Sequence, residues 1–158
     1  MVIEEAGPGR TVRALHWWPT PGFDSPSGAG VPEEVAQAYS EGSRCIAVGA
    51  PNAAVAMFRT ALAHIVQEKG SQAAKAEGDL FNRIKKMAKE GALFASFADW
   101  AHHVRIVGNA GAHGEKFEPV TVEQATELYR FLGQMINFLY VQPAQLAAAM
   151  RPAKRGSS

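Results

Sequence analysis

Apolar residues return at helical spacing five times between Pro32 and Val141, and no strand pattern interrupts them. That recurrence restricts the chain to helices packed on helices. The first segment opens at Pro32, with Glu33 and Glu34 at the positive helix start and Val35, Tyr39 and Ile46 along one stripe. Gly49 and Pro51 close it. The second runs from Pro51-Asn52 to about Lys69-Gly70, with Ala54, Met57, Phe58, Ala61, Leu62 and Ile65 on a broad face. Its alanines predict close helix–helix approach. Within it, Arg59 reads as an ion-pair or capping partner and His64 as a packed, hydrogen-bonded histidine. Residues 70–78 read as a polar linker. The third helix spans roughly Asp79–Glu90, with Leu80, Ile84 and Met87 inward and Gly91 as its stop. The fourth runs from about Ser96 or Phe97 to Gly108. The fifth has the clearest start: Thr121 and Gln124 are spaced for a capping box. Ala125, Leu128, Met135, Ile136 and Leu139 carry its pattern to about Val141, and Pro143 ends it.

The expected fold is an all-α bundle of about five helices with a short irregular or hairpin-like N-terminal extension. Residues 1–31 hold much of the turn chemistry and form that arm, residues 32–143 the helical domain, and residues 144–158 a short helical turn and a basic tail. Thr11–Trp18 reads as a short strand or an extended arm, and Trp17-Trp18 as an anchor on the body. The chain's 158 residues fit one domain large enough to bury a core without disulfides. Cys45 is the single cysteine, which removes both a disulfide framework and a cysteine zinc site. A net charge of +1 excludes a strongly basic nucleic-acid binder but permits a local patch. Residues 1–9 lack the apolar core of a signal peptide, and no apolar run reaches membrane-spanning length. A cytoplasmic location with no membrane partner is expected.

Candidate chemistry is concentrated in Trp100–Gly114, which holds three of the five histidines. Gly108, Gly111 and Gly114 crowd its end, where backbone must turn or approach something closely. His102 and His103 point about 100° apart on a helix, so they do not share one metal ion, and no metal site is expected. No nucleophile-elbow pattern or cofactor motif is present. Arg105 and Asn109 lie one helical turn apart, and His113 extends the row if a further turn forms. An arginine fork suits phosphate oxygens, a histidine exchanges protons near neutrality, and an asparagine orients a phosphate or a base. Metal-free RNA cleavage needs little more: a base for the 2′-hydroxyl, an acid for the leaving oxygen, and a cation on the phosphorane. The structural alternative makes Asn109 a helix cap and His113 a loop-bonding group. Arg83, Lys85, Lys86 and Lys89 load one side of the third helix, either as a solvated face or as a stripe for a nucleic-acid backbone. The candidate RNA contacts are His102, His103, Arg83 and Lys86.

Several stretches resemble the bacterial family known as domain of unknown function 4145. They are Pro32–Val35 with Tyr39, Ala53-Ala54 through Phe58–Leu62, Arg105–His113, and Gln124-Ala125 with Leu139-Tyr140 and Pro143. That family is regarded as similar to the HEPN superfamily of helical domains, common in toxin–antitoxin, restriction and other defence systems. The resemblance implies a dimer and a metal-independent endoribonuclease whose hallmark is an Arg followed, after four to six residues, by His. In this chain Gly108 stands where the hallmark arginine falls, and Arg105 lies three residues earlier.

Two functions follow. One is a dimeric HEPN-like domain that binds or cleaves RNA through Arg105, Asn109 and His113, with no cofactor. The other is a catalytically inert helical module that binds a partner protein or a nucleotide. Gly108 favours the second, and Arg105 keeps the first.

Overall fold

The computed structural model describes residues 30–99 and 119–151. Residues 1–29 of the N-terminal arm, with the Trp17-Trp18 anchor, most of the expected fourth helix and residues 152–158 lie outside the described residues. Helix α1 is Glu33–Ala47, α2 Pro51–Lys69, α3 Gln72–Lys75 and α4 Leu80–Lys89. Residues 95–99 are helical. Helix α5 is Val122–Ile136, a π-helical turn covers Asn137–Val141, and α6 is Gln142–Ala149. No strand occurs among the described residues, so the body is all-α.

Helix α1 turns back onto α2 through residues 48–50. The Ala50 N–H bonds the Cys45 carbonyl, the Gly49 N–H bonds that of Ile46, and Gly49 sits at φ 73°. This is a Schellman end, and the left-handed residue within it favours glycine. The same pattern closes α4, where Ala92 bonds Met87, Gly91 bonds Ala88, and Gly91 has φ 79°. Both stops fall where the sequence places them.

Helices α2 and α5 run in the same direction. At their starts the Val120 N–H donates to Asn52 Oδ1 at 3.1 Å; at their ends the Tyr140 hydroxyl donates to Glu68 Oε2 at 2.7 Å. A parallel pair needs a long crossover, which α3, α4 and residues 95–118 supply. Between α1, α2 and α5 lies an aromatic cluster: Tyr39 stacks on Tyr129 with centroids 4.7 Å apart, and Phe58 meets both rings at about 6 Å. Small residues permit this approach. A Cβ at position 42 would lie under 3.0 Å from carbons of the Phe58 ring, and one at position 133 would lie 2.8 Å from the Tyr39 hydroxyl. Phe58, Leu62, Ile65, Ile84, Met87, Leu128, Leu132, Met135 and Ile136 fill the fully buried core around it.

Four expectations need correction. His64 is exposed, because Leu62, Ile65 and Val66 take the inward positions of α2. The supposed linker contains α3, capped by Ser71, whose hydroxyl accepts from the Ala74 N–H at 3.0 Å and donates to Glu90 at 2.6 Å. Pro32 caps α1 rather than starting it. Pro143 does not end the fifth helix. The π turn resets the hydrogen-bond register, and Pro143 then occupies the first turn of α6, where its missing N–H leaves no bond unmade.

Candidate functional site

The fold holds both ends of the segment that carries Arg105, Asn109 and His113. Those three residues, with His102 and His103, lie outside the described residues. Upstream, Phe97 is buried and meets the Phe131 ring edge-on at 5.5 Å. Downstream, Val120 is buried and tied to Asn52 at the start of α2. Thr121 then caps α5: its hydroxyl accepts from the Gln124 N–H at 3.2 Å, and the Gln124 side chain accepts from the Thr121 N–H at 2.9 Å. The described flanks thus sit at two points of α5, Phe97 against its middle at Phe131 and Val120 just ahead of its first turn. Those points are about 14 Å apart along the helix at about 1.5 Å per residue.

The basic side of α4 is a formed surface. Asn82, Lys85, Lys86 and Lys89 line an open pocket of about 200 Å³ together with one carboxylate residue, Glu77. Lys86 pairs with Glu90 at 3.7 Å, and Lys85 lies 5.9 Å from the Phe81 ring centroid. Arg83 is half-buried, and its Nε donates to the Glu77 carbonyl at 2.9 Å, which closes the loop ahead of α4. Of the two described RNA candidates, Lys86 opens onto the pocket and Arg83 also holds the loop. Lys86 and Lys89 stand in the last turn of α4, where positive charge offsets the helix dipole.

A second cavity, of about 360 Å³, lies where residues 94–97 meet α5. Phe94, Phe97 and Phe131 form its apolar part, and Ser96, Arg130 and Gln134 supply polar groups. Phe94 is 59% exposed although Phe138 holds it at a centroid distance of 4.3 Å. Phe97 is 11° from parallel to Phe94, with centroids 6.5 Å apart. The sequence does not announce this cavity. A residue just ahead of a helix shows no periodicity, and polar residues such as Arg130 and Gln134 on an amphipathic helix are ordinary solvent-facing positions. Their i, i+4 spacing was the one available signal.

Among the described residues no three His, Cys, Asp or Glu side chains gather as a metal site, and no described helix is long and apolar enough to cross a membrane.

The bracketed segment and all the helices after it fall within one family match. The model of a domain of unknown function, DUF4145, matches residues 40–153, more than half the chain. The chain belongs to the DUF4145 family. No curated protein and no solved structure matches it. The DUF4145 match starts after Pro32–Tyr39, so that stretch lies outside it, whereas Arg105–His113 and α6 lie inside.

Proposed function

We propose that this DUF4145 chain is a HEPN-like, dimeric RNA-binding domain of a defence or toxin–antitoxin-like system, and that it cleaves RNA without a metal ion. The observation that carries the binding is the α4 surface, where Lys85, Lys86 and Lys89 converge with Asn82 on one pocket lined by a single carboxylate residue. Three lysines on one face suit successive backbone phosphates, which are bound as point charges. Cleavage is assigned to the segment bracketed by Phe97 and Val120: His113 moves the proton, Arg105 stabilises charge on the phosphorus, and Asn109 orients the phosphate or a base. His102 and His103 add contacts beside it.

The test is anisotropy of a labelled single-stranded RNA over a salt series. Each phosphate contact contributes about −0.7 to the slope of log K against log salt. Lys85→Ala with Lys89→Ala should flatten the slope by about 1.4 and leave the protein folded, with stability lowered only by the roughly 0.3–1 kcal/mol of a last-turn charge. An unaltered slope sinks the α4 assignment. For cleavage, activity should persist in EDTA, and His113→Ala should lower it by about 10²–10⁴-fold.

A second reading, an inert module that binds a partner protein, draws on α6. No residue of α6 is buried; Leu146 within it is 63% exposed, and Met150 just past its end is 75% exposed. Wild-type protein that binds no RNA over the whole salt range would favour this reading.

A further inference from the structure

We propose that the cavity between residues 94–97 and α5 holds one unpaired nucleobase of a bound RNA strand, stacked on Phe94, with its phosphate on Arg130. The proposal rests on the RNA-binding reading and names the subsite that grips the strand.

A large apolar ring more than half exposed is ordinarily loose, but Phe94 is fixed. Phe138 holds it at 4.3 Å, and Phe97, itself nearly buried, lies almost parallel to it. Phe97 in turn meets Phe131 of α5. The exposed ring is thus the end of an aromatic row anchored in the core, and it offers a rigid platform. Bases stack on such platforms whatever their sequence, because every base has a π-face.

The cavity also has a polar side, formed by Ser96, Arg130 and Gln134, which an apolar occupant would leave unused. Arg130 and Gln134 are one helical turn apart on α5, so both point to the same side. Among the described residues Arg130 has no ion pair, which leaves its fork available for phosphate oxygens. The Gln134 amide both donates and accepts, and so suits the edge of a base. The Ser96 hydroxyl adds one more donor and acceptor. A volume of about 360 Å³ lies at the small end of ligand pockets and suits one nucleotide rather than a helix or a loop. A planar apolar face, a cation and an amide in one small cavity match a nucleotide unit. The unit belongs to a strand, not to free mononucleotide, because the cavity is open and the residues that follow Asp99 are those assigned to cleavage.

The probe is a 2′-O-methyl RNA of about eight nucleotides carrying 2-aminopurine, which binds without being cut. Binding to wild type should quench 2-aminopurine, as stacking does. Phe94→Ala should abolish the quench and weaken binding about 5- to 100-fold, the range of one base–aromatic stack. Phe94→Trp should keep both. Arg130→Ala, at an exposed helix position, should flatten the salt slope by about 0.7 and keep the melting temperature. Strand binding without quench, or binding unchanged in both alanine variants, overturns the subsite and leaves RNA binding by α4 standing. Wild type that binds no strand overturns the RNA reading itself. Saturable binding of adenosine monophosphate as tight as the strand would overturn the strand assignment.

Discussion

Tyr39 shows how much one side chain decides here. It sits between α1, α2 and α5, stacked on Tyr129 and closed over Gly133. Burial raises its pKa above the ordinary 10.0, and its hydrogen bond with Tyr129 raises it further. Tyr140 shifts the same way, first through burial and then through its bond to the Glu68 carboxylate. A phenol whose folded pKa is raised stays neutral in the fold and ionises more readily in the unfolded chain. Its contribution is complete below pH 10 and declines as pH rises above it. Alkaline titration by circular dichroism should show unfolding that begins above about pH 10, and a fold equally stable at pH 9 and pH 12 would contradict this. Gly42 is the opposite case, a residue needed for what it lacks. Gly42→Ala would press a methyl group into the Phe58 ring and should cost about 1–3 kcal/mol in urea unfolding, as overpacking does. The sequence showed Tyr39 as an inward residue. It did not show that Tyr39 meets Tyr129, a pairing 90 positions apart that only the parallel α2–α5 arrangement creates.

Element boundaries were legible where local chemistry sets them. Gly49, Gly91 and the Thr121–Gln124 box each satisfy helix-end groups from within a few residues, so their positions could be read directly. Thr121→Ala should lower stability by about 1 kcal/mol through the lost cap, with RNA affinity unchanged. Gly91→Ala has no clash to meet, since nothing lies within 4 Å of the added methyl. Its cost is the left-handed backbone alone, about 1–2 kcal/mol. If both substitutions left the denaturation midpoint within assay error, these two ends would not be stabilised as described. Pro143 misled because a proline's effect depends on the hydrogen-bond register that reaches it. A π turn changes that register from five residues upstream, and no single residue signals it. The α3 turn was missed for a related reason. Four residues carry no period, and its capping Ser71 is completed by Glu90, 19 positions away.

For the molecule as a whole, the helical class was legible because five amphipathic stretches leave no other way to bury their faces. The candidate site was legible only as a list of residue types in residues 100–118, since spacing alone does not tell a helix cap from a proton-transfer group. What the fold adds is the anchoring of that list, at Phe97 against Phe131 and at Val120 on Asn52. On the proposed reading two copies face each other, so that Arg105 of one protomer serves His113 of the other, and a closed two-fold dimer is the commonest way to bring them together. This can be tested without the identity of the RNA target. Arg105→Ala and His113→Ala proteins, each inactive alone, are mixed under conditions that exchange subunits. If each active centre draws its arginine from one protomer and its histidine from the other, half the dimers are mixed and each holds one complete centre. Cleavage should then return to about a quarter of the wild-type rate, with a mass by light scattering of twice 16.9 kDa. A mixture that stays inactive although its subunits exchange would place both groups of a centre on one chain. A monomer at about 100 μM would remove the shared centre altogether.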